Sequence, residues 1–144
     1  MSTRLRRAVR LVDLVQDRID VARARLTDAR RALEEAIAEV DRREAAWVTA
    51  AQSSGTVVTR VADLEHQSAH LRTLRLRVDV AKRNVGEAQA LELKCQQVLA
   101  DASKERRKLE LWLERLQLAE RERLHRAGAL ADDEVAARSM RQRP

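Results

Sequence analysis

The sequence predicts an all-α fold: a long antiparallel two-helix coiled-coil hairpin whose second helix is the longer, followed by a short terminal helix. Three observations predict it. Charged residues make up 36% of the 144 positions and hydrophobic ones 44%, the balance of long helices with a narrow apolar seam. Aromatic bulk is limited to two Trp, with no Phe and no Tyr, too little for a globular core. Three Gly and one Pro leave few places to break a helix. Strands are disfavoured by the same counts, and the one β-branched run, Thr56-Val57-Val58-Thr59, is too short for a sheet.

Helix one, about residues 3–52, rests on a heptad without interruption: Leu5, Val12, Ile19, Leu26, Leu33, Val40 and Trp47 fall seven apart. Three residues on runs a smaller track, Ala8, Val15, Ala22, Ala29, Ala36, Arg43 and Ala50. Two such tracks make a coiled-coil seam, and the alanines let a partner helix approach closely. The pattern weakens at Gln52-Ser53-Ser54-Gly55-Thr56, where Gly accepts positive φ and Thr56 suits a helix cap, so the turn is expected at about 53–56.

Helix two, about 57–127, carries Leu74, Ala81, Ala88, Cys95, Ala102, Leu109 and Leu116 seven apart. Leu64, Leu71, Val78 and Val85 support the track earlier. Leu91, Val98 or Leu99, and Trp112 or Leu113 support it later. Arg123, His125 and Arg126 before Gly128 suit the negative end of a helix dipole, so an end is expected there. Asp132 or Asp133 then caps a short helix through Arg141 in the tail 128–144. The whole of 1–144 reads as one coiled-coil rod.

The small track of helix one also continues in register through Val57, Leu64, Leu71, Val78 and Val85. A single unbroken helix dimerising in parallel is the alternative. The Ser-Ser-Gly-Thr cluster and the ~1 kcal/mol cost of an interior Gly favour the hairpin. A turn near residue 54 places Val40 opposite Leu71. It leaves about the last 20 residues of helix two unpaired, roughly 30 Å of helix. That overhang would hold Leu109, Leu111, Trp112, Leu113, Leu116 and Leu118, apolar on more than one face and therefore a candidate binding surface.

Little in the chain suggests catalysis: there is no Gly-rich phosphate loop, no metal-binding Cys pair and no nucleophile in a His and acid context. His66 and His70 share a helix face with Asp63, but a zinc site needs three or four ligands at fixed distances, so a solvated face is the better reading. Neither a metal nor a cofactor is expected. Cys95 lies on the seam and reads as a small buried thiol, and a lone Cys fits a reducing compartment. No export signal or membrane span is visible, so a cytoplasmic location is expected.

Net charge is +6. Arg4, Arg6, Arg7 and Arg10 cluster in helix one, Lys104, Arg106, Arg107 and Lys108 in helix two, and Arg121, Arg123 and Arg126 beyond them. Sequence-tolerant nucleic-acid binding usually adds aromatic stacking to such charge, and only Trp47 and Trp112 are present, so no specific nucleic acid is expected. Arg favours bidentate pairing with carboxylates, which points to acidic protein partners.

The basic first helix, the Ser/Gly turn, the run Leu109-Glu110-Leu111-Trp112-Leu113-Glu114-Arg115 and the tail Asp133-Glu134-Val135-Ala136-Ala137-Arg138-Ser139-Met140-Arg141 together resemble the central stalk proteins of type III secretion. These are the flagellar FliJ proteins and their injectisome counterparts, small two-helix rods. The resemblance implies a non-enzymatic chain, monomeric when free, that stands in the pore of a hexameric secretion ATPase and reaches an export-gate protein at the inner membrane. Export chaperones are further partners it implies. Contacts with the ATPase would come from Arg4, Arg6, Arg7, Arg10, Leu109, Leu111, Trp112, Leu113, Arg115, Leu118, Arg121 and Arg123. Leu71, Leu74 and Leu76 would face the gate, with Leu in the place of aromatic contacts. A homodimeric coiled-coil scaffold and a basic nucleic-acid-binding rod are the competing classes.

Overall fold

A computed structural model describes residues 2–53 and 60–142. Two helices account for nearly all of them, α1 (Thr3–Ser53) and α2 (Val61–Arg141), with no strand among the described residues. The Ser2 hydroxyl accepts the Leu5 amide at 3.2 Å, capping α1 by satisfying one of the amides that a helix start leaves without a partner. In α2 the carbonyl of Arg60 accepts the amides of Asp63 and Leu64. Asp63 in that first turn also favours the positive end of the dipole.

The expected turn falls mostly on residues outside those described: Ser53 is the last residue of α1, and 54–56, with the expected start of helix two at 57–59, lie in the part not described. The expected end at Gly128 does not occur. Helix α2 continues through Gly128 to Arg141, no described residue has positive φ, and Asp132 and Asp133 sit inside the helix rather than capping a separate one. The physical reason is that Gly costs a helix only about 1 kcal/mol. Neighbours Ala127, Ala129, Leu130 and Ala131 are good helix formers, and no Pro follows within the helix.

The chain divides into two compact units: one joins the residues up to Asp20 with those from Ala100, and the other is Val21–Leu99. In the second, Arg30 meets Glu92 at 3.4 Å, Glu44 meets Lys82 at 3.4 Å, and the Arg75 guanidinium lies 5.5 Å from the Trp47 ring centre. Numbers rise on α1 as they fall on α2, so the helices are antiparallel. In the first unit Arg18 meets Glu105 at 3.8 Å.

Burial follows the seam. On α1 the buried side chains are Leu5, Ala8, Val15, Ile19, Ala22, Leu26 and Ala29, and both expected tracks are covered along the helix. On α2 Leu74, Val78 and Ala81 are buried. From Val85 the covered positions step by three and four through Ala88, Glu92, Cys95, Leu99 and Ala102, then Arg106, Leu109, Leu113, Leu116 and Glu120. Glu92, Leu99 and Leu113 therefore hold the seam. Their neighbours Leu91, Val98 and Trp112 lie outside it, with Leu91 and Val98 more than half exposed.

Candidate docking surface

The register moves the expected overhang. Arg18 faces Glu105; Thr3, which begins α1, and Glu120 each stand fifteen residues from that pair. Partial cover on α2 accordingly lasts to Glu120, and every described residue from Arg121 onward is exposed. A turn-centred pairing fails because α2 does not meet α1 at its first residue. Ala50 and Ser53 instead share a surface hollow with Gln67, His70 and Leu71, so Val61–His66 come before the paired stretch and are exposed. Val40 consequently lies with Val85 and Lys82 around another hollow, not opposite Leu71.

The residues predicted for docking divide accordingly. Leu109 and Leu113 are half-buried seam residues. Leu111 and Trp112 are 38% and 36% exposed, and Leu118 is 57% exposed, all off the seam. Arg4, Arg6, Arg7, Arg10 and Arg115 are exposed and make no ion pair among the described residues. Arg121 is exposed, whereas Arg123 donates to Glu120 at 2.9 and 3.2 Å. Those bonds hold the Glu120 carboxyl below the usual carboxylate range and raise the Arg123 guanidinium.

Of the residues expected to face a gate, Leu74 is buried in the seam of the second unit, Leu71 is half-buried and Leu76 is 60% exposed. Only Leu76 offers its side chain freely. In a strict heptad counted from Leu71, Leu71 and Leu74 fall on the inner tracks and Leu76 on the outer face.

The unpaired surface that the register exposes is residues 121–141. It carries Leu124, Leu130, Val135 and Met140, each more than half exposed, interspersed with Arg126, Arg138 and Arg141. The overhang thus begins about two heptads later than the sequence predicts; the signal that locates it is the strict three-four stepping from Leu71, which keeps Leu109, Leu113 and Leu116 on the seam.

No group of three or more His, Cys, Asp or Glu side chains that could hold a metal ion occurs among the described residues, and His66 and His70 are both exposed. Cys95 is a free thiol, half-buried on the seam where it was expected. Among the described residues no helix is long and apolar enough to cross a membrane. The chain was compared with protein-family models, with curated proteins and with solved structures, and none matches.

Proposed function

We propose that this chain is the central stalk of a type III secretion apparatus, flagellar or injectisome. In this reading it is not itself an enzyme and docks by residues 121–141 of α2 into a hexameric secretion ATPase. What carries the reading is that α2 remains helical from Arg121 to Arg141 with no α1 residue beside it. Most helical stability in proteins comes from packing an apolar face, and a stretch with exposed Leu124, Leu130 and Val135 gains it by entering a protein socket. The Arg residues along it suit an acidic wall.

The neighbouring basic turns of α1, with Arg4, Arg6, Arg7 and Arg10, add to the same charge. Nucleotide chemistry belongs to the ring. The export-gate protein and export chaperones are the further partners of this reading, on the cytoplasmic side of the inner membrane. The seam residues that a homodimeric scaffold would use are already covered within the chain.

The test uses the purified chain and a purified secretion ATPase from the same source. The intact chain should co-elute with the hexamer and raise its hydrolysis rate, and a variant ending at Glu120 should do neither. Equal stimulation by the shortened chain would refute docking through this segment.

A further inference from the structure

In a two-stranded coiled coil the tracks flanking the seam are normally charged, because solvent reaches them. In the first unit the Arg18 to Glu105 ion pair marks such flanking positions. One heptad along, in the antiparallel sense, Leu11 and Trp112 take their places. They are 37% and 36% exposed. Leu14, three residues after Leu11, is 57% exposed on the same side.

Apolar flanking tracks are what a pair of helices presents where a third helix lies in the groove between them. The rim states the charge of that helix. Arg7 lies four residues before Leu11, and Lys108 and Arg115 lie four before and three after Trp112. None of the three has an ion-pair partner among the described residues. The opposite flank of the same unit holds Asp13, Asp20, Glu110 and Glu114. Arg6 and Arg107 lie on that flank as well, so it is mixed in charge, whereas the rim beside Leu11 and Trp112 is basic, its one carboxylate, Glu105, being paired with Arg18.

We infer that the groove of Leu11, Leu14 and Trp112 is a docking site for an acidic amphipathic helix of another protein, with apolar residues seated on Trp112 and Glu or Asp meeting Arg7, Lys108 and Arg115. A second copy of the chain fits less well, because its own unpaired helix carries five Arg against four acidic residues at 121–141 and so lacks the acidic excess that the rim calls for. The inference rests on the reading of the chain as a docking protein, but not on the ATPase. The assay below contains no ATPase, so its failure leaves the effect of residues 121–141 standing, and the reverse also holds.

The probe is a synthetic peptide of about 20 residues, long enough to form a helix on docking, with Leu along one face and Glu on both borders. Its counterpart has Lys in place of Glu. Binding is read by peptide anisotropy and by Trp112 emission in a Trp47→Phe background. The Glu peptide should bind and shift the emission to the blue, and the Lys peptide should not.

Leu11→Gln with Trp112→Gln should weaken binding at least about tenfold, since aromatic anchors dominate such interfaces, with helicity unchanged. Should that pair disturb folding, Lys108→Glu with Arg115→Glu alters exposed side chains alone and should weaken binding by a similar factor. Leu93→Gln, an exposed residue of the other unit, should leave it unchanged. The proposal is overturned by any of four outcomes: no binding of the Glu peptide; equal binding of both peptides; binding to anionic phosphatidylglycerol vesicles in place of the peptide; or a dimer of the chain that dissociates on Trp112→Gln.

Discussion

Two adjoining stretches of the same helix, 100–120 and 121–141, differ less in composition than in surroundings. Both are built from Leu, Ala, charged residues and few others, with five Leu in the first and two in the second. In the first, Ala102, Arg106, Leu109, Leu113, Leu116 and Glu120 are partly covered at seam spacing; in the second every described residue is exposed. Helix α2 is continuous through both. Helical continuity therefore says nothing about whether a stretch has found its partner. The burial pattern does, and its limit is set by where α1 begins.

The register that sets this boundary can be broken outright. With Cys95→Ser, cysteines replacing Val40 and Val85 should crosslink within one chain, since the two residues line one hollow. Val40 with Leu71 should remain reduced, a contrast that a non-reducing gel reads directly. A crosslink in the second pair instead would restore the turn-centred pairing and the earlier overhang.

A large energetic contrast comes next. Ile19 is 1% exposed in the core of the first unit, so Ile19→Ala should cost about 2–5 kcal/mol in urea denaturation. Leu130→Ala, at a position 69% exposed, should change stability by no more than about 0.5 kcal/mol. If the two losses were similar, residues 121–141 would belong to a folded core.

Glycine sharpens the same comparison at a smaller scale. A Cβ added at Gly86 or Gly128 meets nothing within 4 Å, so Gly→Ala should favour the helix by about 1 kcal/mol at either place. The effects should differ in kind. Gly86→Ala, within the paired part of α2, should raise the urea midpoint, whereas Gly128→Ala should raise helical circular dichroism and leave the midpoint where it was.

The smallest effect is electrostatic. The hydrogen bonds that Glu39 accepts from Arg42 and then Arg43 hold its carboxyl below the usual range, as Arg123 does for Glu120. Groups depressed in the folded state stabilise it above the unfolded carboxylate value of about 4.3, and lose that contribution as pH falls through the lowered folded value. The melting temperature should be flat from neutral pH down to about 4.3 and should decline below it, until the lowered folded value has been passed. Glu39→Gln should make the decline only slightly shallower, because the Arg42 and Arg43 side chains that pair with it are exposed.

The seam of α1 was readable because one large side chain recurs at every seventh position from Leu5 to Trp47, and the structure covers that track throughout. On α2 the sequence offered adjacent choices, Leu91 beside Glu92, Val98 beside Leu99 and Trp112 beside Leu113. Hydrophobicity chose Leu91 wrongly, whereas strict stepping from Leu71 assigns Glu92, whose carboxylate reaches Arg30 across the pair. Register was not readable, because each heptad step along either seam offers a similar row of Leu, Val and Ala, so the pattern says which faces meet but not how far one helix is displaced along the other. Without register, the apposition of Leu11 with Trp112 stays hidden, although each is plain in its own helix. At Gly128 the local end signal is outweighed by the good helix formers on either side, Ala127, Ala129, Leu130 and Ala131.

Hydrogen exchange across α2, on the free chain and on the chain bound to a secretion ATPase, is the most direct test of the claim that residues 121–141 lack a partner within the chain and find one in the ring. In the free chain, amides of 121–141 should exchange far faster than those flanking Leu109 and Leu113, since only the latter are held by α1. On binding they should become protected while the seam amides change little. Strong protection of 121–141 in the free chain, or none gained with the ATPase bound, would contradict the account.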